Sequence, residues 1–334
     1  MNQERIMQER IMELGFNIIA LLVATGIIFA VVLIVALVAM WCGASFKLYL
    51  TRGAWFLLLP WVAWIYGSFV ERNYFRVKRV TIESENLPAS FDGYRIVQIS
   101  DIHIASFADR ERALQRAVNK VNSLQPDLIA VTGDLVTAGP WELDGKEDIL
   151  AGLKAEDGVY SIMGNHDYSE YHRWESQQAR AEAQEQLKRR QRAMGWDLLL
   201  NENRTIERSG DSISIIGVEN ISAGKHSFRT YGDLQQAMQG ADGAFKVLLS
   251  HDPSHWRAEV AGQSDIDLTL SGHTHAMQMT LLGWSPSSLI YDEYRGLYSQ
   301  GEQHLYVNIG LGETLFMARM GAMPEITLIE LKRK

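Results

Sequence analysis

Ile96-Val97-Gln98-Ile99-Ser100-Asp101-Ile102-His103 is an apolar run that ends in a carboxylate and an imidazole. It reads as a strand whose end carries ligand chemistry. Four further stretches repeat the arrangement. Leu128-Ile129-Ala130-Val131-Thr132 leads into Gly133-Asp134, and Tyr160-Ser161-Ile162-Met163 into Gly164-Asn165-His166-Asp167. Lys246-Val247-Leu248-Leu249-Ser250 leads into His251-Asp252, and Asp267-Leu268-Thr269-Leu270-Ser271 into Gly272-His273-Thr274-His275. Open α/β sheets bind ligands beyond the carboxyl ends of their strands. Glycines before Asp134, Asn165 and His273 permit sharp turns and close backbone approach there.

Working outward, 108–124 has helical spacing, with Ala113, Leu114, Ala117, Val118 and Val121 on one face. Strands are expected at 95–100, 127–132, 159–163, 245–250 and 266–271. Alternation of strands with helices implies an α/β core covered on both faces. Late strands at about 304–309 and 325–331, with a further one at 212–217, call for more than one sheet. The expected fold is therefore an α/β two-sheet sandwich flanked by helices, preceded by N-terminal transmembrane helices, rather than one doubly wound sheet. A charged insertion at 173–195 reads as a helix or helical hairpin. Its Lys188, Arg189, Arg190 and Arg192 form either a solvated face or an arm for anionic headgroups.

The donors suit Mn, Fe, Zn or similar ions, and the absence of thiolates argues against a closed structural zinc site. Two cations ~3.5–4 Å apart would clamp a phosphoryl group and activate a hydroxide. One such motif alone is usually just a turn or a hydrogen-bonded histidine. All five, in this order across about 93–310, resemble the calcineurin-like metallophosphoesterase superfamily, and its membrane-anchored bacterial members in particular. The resemblance implies a metallophosphoesterase-like fold with two divalent metal ions, manganese favoured over iron or zinc. It assigns Asp101, His103 and His275 to one metal, Asn165, His251 and His273 to the other, and Asp134 as the bridge. His166 would contact the phosphate and protonate or stabilise the leaving oxygen, with Asp167 orienting its imidazole. Two positions depart from the pattern. Thr137 stands where many relatives have Asp, and Ala276-Met277 where many have Gly-Gly. Neither removes a ligand. His172, His226, His255 and His304 lie outside the motifs and read as surface or structural, His255 being nearest to an exception. Glu219 and Asn220 end a strand and read as hydrogen-bonding residues there.

Residues 16–42 carry no charge and are long enough to cross a hydrocarbon core of ~30 Å. A second uncharged stretch, 53–70, holds Trp55, Trp61 and Trp64, is near the lower length limit, and contains Pro60, a kinking residue. Lys47 and Arg52 lie in the link. A cleaved signal peptide fits poorly, because the run is too long and Glu4, Glu9 and Glu13 dilute the basic segment. Cys42 also follows Trp41, where lipoprotein processing wants a small residue. Arg72, Arg76, Lys78 and Arg79 follow the second stretch, and positive residues stay cytoplasmic. The expected layout is an anchor at 1–71, of one or two transmembrane helices, and a catalytic domain at 72–334 facing the cytoplasmic side of the inner membrane.

The chain of 334 residues has a single cysteine, so no intramolecular disulfide forms, and Cys42 is expected to be a buried, inert thiol. The net charge of -8 argues against nucleic acid as a partner. Anionic substrates stay open, because bound metals supply local positive charge. Taken together, the residues and the resemblance imply a membrane-anchored dinuclear-metal phosphohydrolase cleaving a phosphodiester, pyrophosphate or phosphomonoester. A lipid-linked substrate such as UDP-diacylglucosamine is one extension, with Trp284, Leu289, Tyr291, Tyr294 and Tyr298 as an acyl-chain entrance or simply as packing. The alternatives are a phosphodiesterase of soluble nucleotides and a catalytically inactive membrane scaffold. Degenerate ligands would mark a scaffold, and every expected ligand is present.

Overall fold

The structure is a computed structural model that describes residues 2–224 and 227–334, with side chains from Arg10 onward. His226 lies outside the described residues. The strands are β1 (Arg76–Ser84), β2 (Arg95–Ile99), β3 (Leu128–Val131), β4 (Val159–Ser161), β5 (Asp197–Leu198) and β6 (Glu202–Arg208). They continue with β7 (Asp211–Gly217), β8 (Phe245–Leu249), β9 (Leu268–Ser271), β10 (Gly296–Gln300), β11 (Gln303–Val307) and β12 (Glu325–Arg333). One mixed sheet has the order β1-β12-β2-β3-β4-β5 and the other β10-β11-β9-β8-β7-β6. The two-sheet sandwich expected from the pattern is the observed architecture.

The core explains why the motif strands are apolar throughout. β2, β3 and β4 run parallel, as do β7, β8, β9 and β11. Both faces of these strands are covered, so the usual in–out alternation disappears. Ile96, Leu128, Ala130 and Ile329 meet Ile215, Val247, Leu249 and Leu270 between the sheets. The alternate residues Val97, Ile99, Ile129 and Val131 pack outward with Leu114, Val118 and Val121 of the helix Glu111–Ser123. On the other side Ile216 and Leu248 pack with Trp256 and Val260. Register aligns Ile99 with Val131, Val131 with Ser161, and Leu249 with Leu270. The five motifs therefore leave the two sheets at one common end.

Several elements differ from the sequence expectation. β1 is a strand within the basic stretch that followed the apolar segment, and it lies at a sheet edge with much of its surface exposed. Its edge position leaves a mixed pattern with no core signature. Residues 173–195 form a single helix, Gln177–Ala193, with Ser176 accepting from the Ala179 amide at its start. That helix docks through Ala183, Leu187 and Gln191. Arg190 pairs with Asp144 and Glu147, and Lys188 with Glu185. Half of the basic cluster is thus neutralised within the chain.

The N-terminal part is a helical hairpin. α1 (Asn2–Trp41) is followed by α2 (Phe46–Gly53), a tight turn at Ala54–Leu58 and α3 (Leu59–Phe69). Arg10–Trp41 and Phe46–Asn73 are both long and apolar enough to cross a bilayer. Leu22, Ile27, Phe29 and Ile34 face outward from several sides of α1 with no protein cover. Pro60 falls in the first turn of α3, where its missing N–H would be unpaired anyway, so it starts that helix rather than kinking it. Cys42 is exposed, not buried, because its apolar neighbours on α1 also point away from protein.

Polar side chains hold the hairpin to the sandwich. Asn17 is fully buried on α1. Its amide nitrogen donates to the Leu315 carbonyl at 3.0 Å, and its oxygen accepts from the Met317 amide and the Trp64 indole, each at 3.0 Å. Ser68 donates to the Met317 carbonyl at 2.9 Å, and Arg72 pairs with Glu313 at 2.7 Å. The Asn17→Leu variant orphans the groups that Asn17 now satisfies, and each orphan costs on the order of 1–3 kcal/mol. Thermal unfolding in detergent should show a clearly lowered midpoint. An unchanged midpoint would show that Asn17 contributes nothing to docking the hairpin.

Candidate metal centre

Acceptor atoms from both sheets converge at the common end. Asp101, His103, Asp134, His251 and His275 are buried, as is Asn165, while His166 and His273 are partly open. In the first group, His275 Nε2 lies 3.1 Å from His103 Nε2 and 3.2 Å from Asp101 Oδ1. Asp101 is held by the His273 backbone amide, which donates to both carboxylate oxygens at 3.0 Å. His103 Nδ1 is 3.0 Å from the Thr137 hydroxyl, and Arg319 Nη2 is 3.3 Å from His275 Nδ1.

The second group is better defined chemically. His251 donates from Nδ1 to the Thr132 carbonyl at 2.7 Å, which leaves Nε2 with its lone pair in the neutral ring. Asn165 donates its amide nitrogen to the Tyr171 hydroxyl at 2.8 Å, which turns its oxygen inward. That oxygen lies 2.8 Å from His273 Nδ1 and 3.2 Å from His251 Nε2, and Asp134 Oδ2 is 3.1 Å from His251 Nε2. Asp134 belongs to both groups, since Oδ2 is also 3.7 Å from His103 Nε2. So many carboxylate, amide and imidazole lone pairs packed this closely require cations or protons between them. Oxygen and imidazole donors with no thiolate fit divalent transition ions.

Electrostatics agree with that donor set. Burial alone would push the Asp134 carboxyl up, but the His251 and His166 imidazoles outweigh it and hold it well below the usual carboxylate range. Burial, with His166 and His275 nearby, drives the His103 imidazole well below its usual value and keeps it neutral. Burial also lowers His251, yet the adjacent Asp134 carboxylate overrides it and raises the ring to about 10. A proton between those two groups occupies the ground that a cation would take.

His166 and Asp167 part company. The His166 ring is oriented by the Thr137 carbonyl, 2.8 Å from Nδ1, and not by Asp167. Asp167 instead accepts from the Leu135, Val136 and Gly164 backbone amides at 2.9, 3.1 and 2.9 Å. Its carboxylate pins two motif loops together and has no contact with the imidazole. Tyr171 stacks on His166 with centroids 4.0 Å apart, and the Tyr291 hydroxyl lies 2.9 Å from His273 Nε2. Sequence reasoning missed the roles of Tyr171, Tyr291 and Thr137 in positioning ligands, because none sits in a ligand-type motif. The sequence places Tyr291 at an acyl-chain entrance or in packing, not beside a ligand-type histidine.

Backbone strain concentrates on the same residues. Asp101, His103, Asp134, His273 and His275 all have positive φ, between 39° and 74°. For such residues that conformation costs about 1–2 kcal/mol each, and it persists only where surroundings impose it. His275, Ala276, Met277 and Gln278 form a run with φ of 50°, 48°, 46° and 54°. Glycines would adopt it freely, whereas Ala276 and Met277 adopt it only under constraint. Here Ser285 donates to the Ala276 carbonyl at 2.6 Å and Gln278 accepts from the Thr314 amide at 2.7 Å.

Among the described residues, the remaining histidines stay out of the centre. His255 is buried against Ser250 Oγ at 2.8 Å, His304 contacts Ser299, and His172 packs on Trp141 and Trp174. Glu219 accepts from Tyr168 and Asn201, and Asn220 donates to the Arg229 carbonyl, so both are structural.

Comparison with known proteins bears on this arrangement. The family model described as Calcineurin-like phosphoesterase matches residues 94–277. A zebrafish (Danio rerio) protein named transmembrane protein with metallophosphoesterase domain is 32% identical over 287 residues, 83% of this chain. The chain spans 62% of that relative's length. The Bacillus subtilis uncharacterized metallophosphoesterase YkuE is 31% identical over 80% of this chain and 89% of its own. The UDP-2,3-diacylglucosamine pyrophosphatase LpxG of Chlamydia trachomatis is 27% identical over 82% of this chain and 94% of its own.

Close packing makes Gly164 a sensitive probe of the centre. A Cβ there would strike Asp134 Oδ1 and come within 2.8 Å of His251 Cε1. The Gly164→Ala variant should therefore lose bound metal in elemental analysis while keeping its far-UV circular dichroism. Full metal content would show that these side chains do not hold the ions.

Proposed function

Because this chain belongs to the calcineurin-like phosphoesterase family, whose enzymes hydrolyse phosphoric esters, we propose that it is a membrane-anchored dinuclear-metal phosphohydrolase acting on a lipid-linked phosphoester or pyrophosphate. The observation that carries this reading is the pair of acceptor clusters sharing Asp134. Asp101, His103 and His275 would hold one ion, Asn165, His251 and His273 the other, and Asp134 both, with manganese favoured. When bound, the ions supply positive charge for the phosphoryl oxygens and lower the pKa of water.

The chain's own residues do the rest. The His166 Nδ1–H is committed to the Thr137 carbonyl, so a proton passes to the leaving oxygen through Nε2. Stacking on Tyr171 restrains the ring's tilt. Asp134 Oδ1 accepts from the His166 backbone amide at 2.9 Å, which ties the acid to the shared carboxylate. An anionic phosphoryl group beside Nε2 favours the charged imidazolium needed for donation. Asp167 acts only by holding the loops that carry Asp134 and His166.

Residues 1–71 are assigned as the anchor and 72–334 as the catalytic unit, in the inner membrane with that unit on the cytoplasmic side. The two apolar hairpin segments and the basic residues Arg76, Lys78 and Arg79 support this layout. The name of the chlamydial relative, matched along nearly its whole length, supports a lipid-linked pyrophosphate such as UDP-diacylglucosamine as substrate.

Purified full-length protein loaded with manganese should hydrolyse an activated aryl phosphodiester and UDP-diacylglucosamine, and chelation should abolish both. Turnover that survives exhaustive chelation would refute a metal-dependent reaction. No cleavage of the diacylglucosamine substrate would remove the lipid reading alone. Asp134→Ala should lose both metal and activity. His166→Ala should keep its metal and lose activity by a factor of roughly 10²–10⁴ in kcat. Undiminished kcat in His166→Ala would strip the imidazole of its role.

A further inference from the structure

The strained run after His275 leads into a loop that protein leaves uncovered. Its tip is a tight turn in which the Leu281 and Trp284 amides and carbonyls pair, with Leu282 at φ 50° and Gly283 at φ 89°. Leu281, Leu282 and Leu289 are 70%, 101% and 77% exposed, and Trp284 and Ile290 are also exposed. Scattered apolar residues on a surface need no explanation, but a contiguous loop of them does.

The position of the loop identifies what covers it. Its base pairs with residues 320–321, which directly follow the 313–319 strap that docks the helical hairpin. Thr280 donates to the Met320 carbonyl at 2.8 Å, and Met320 to that of Gln278 at 2.9 Å. One residue earlier, the Arg319 amide faces the Gly67 carbonyl of α3 at 3.5 Å, and a Cβ on Gly67 would come within 2.6 Å of the Arg319 oxygen. The loop base is thus linked through residues 319–320 to the end of the second bilayer-length segment. Beside it lies a depression of about 570 Å³ lined by Arg76, Lys78 and Arg295, with buried Glu325 as the acid present. Arg295 donates to the Gly283 carbonyl at the turn. An apolar tip with a basic rim, continuous with membrane helices, matches a surface seated in an anionic bilayer interface.

We propose that residues 279–290 form a second membrane contact, inserting Leu281, Leu282, Trp284 and Leu289 into the headgroup–acyl boundary of an anionic bilayer. This rests on the membrane-anchored reading above. The loop begins just after His275 and ends at Tyr291, the partner of His273. Insertion would therefore hold the mouth of the metal centre against the lipid surface and present it with phosphates at headgroup depth rather than phosphates in bulk water.

Depth-resolved quenching of the full-length protein tests this. Single cysteines at Leu282→Cys, Leu289→Cys, Leu22→Cys in α1, and Glu156→Cys on the exposed surface are made in a Cys42→Ser background and labelled with a small fluorophore. Each is reconstituted in phosphatidylethanolamine–phosphatidylglycerol nanodiscs with and without doxyl-labelled lipid. The inference expects both loop labels and the Leu22 label to lose most of their emission, with the Glu156 label unaffected. Loop labels as unquenched as the Glu156 label, with Leu22 quenched, would overturn the loop contact and leave the anchor standing. An unquenched Leu22 label would overturn both.

Discussion

The carboxylate of Asp134 is where the two halves of this molecule meet. It leaves β3 of one sheet, yet one of its oxygens lies 3.1 Å from His251, which leaves β8 of the other. Its second oxygen is fixed by the His166 backbone amide. Gly133 and Gly164 pack too closely beside it to carry a Cβ: one on Gly164 would strike its Oδ1, and one on Gly133 would meet the Gly164 nitrogen at 2.7 Å. A buried carboxylate so surrounded by imidazoles costs stability until positive charge compensates it. The sandwich core, the strained turns and the amide clamps of Asp167 all serve to keep that group in place.

That constraint reaches outward through the strap at 313–319. Arg319 is fully buried, donates to the Ile309 and Ala322 carbonyls and lies 3.3 Å from His275. The same strap receives Asn17 and Ser68 from the helical hairpin. A short segment therefore touches both the hairpin and the centre, so where the hairpin sits and where the site opens are set by one piece of backbone. A buried asparagine in the uncharged part of α1 has a physical reason here. It satisfies backbone groups that the strap could not pair with itself.

Much of this was legible in the chain. The apolar run 96–100 followed by Asp101 and His103 marked a covered parallel strand and a ligand pair together. The same reasoning held for the other four motifs, and the late strands correctly called for a second sheet. The metal ligands it nominated do converge, whereas Asp167, expected to orient the His166 imidazole, turns to backbone amides and leaves that role to the Thr137 carbonyl. The contacts of Tyr171 with Asn165 and of Tyr291 with His273 were not legible, because a tyrosine is equally at home in a core or at an apolar entrance. Cys42 was misjudged because apolar sequence surroundings do not say whether protein or solvent surrounds a helix face.

Sequence by itself determined the donors, their order and the strands that carry them, since residue type and apolar periodicity are local properties. Only the tertiary structure decided which nitrogen of each histidine faces inward, which carbonyl or hydroxyl fixes it, and which carboxylate is shared. Those outcomes depend on distances between segments more than a hundred residues apart, such as His103 and His275 at 3.1 Å. Chain order does not encode such distances. Packing of two sheets around one core does.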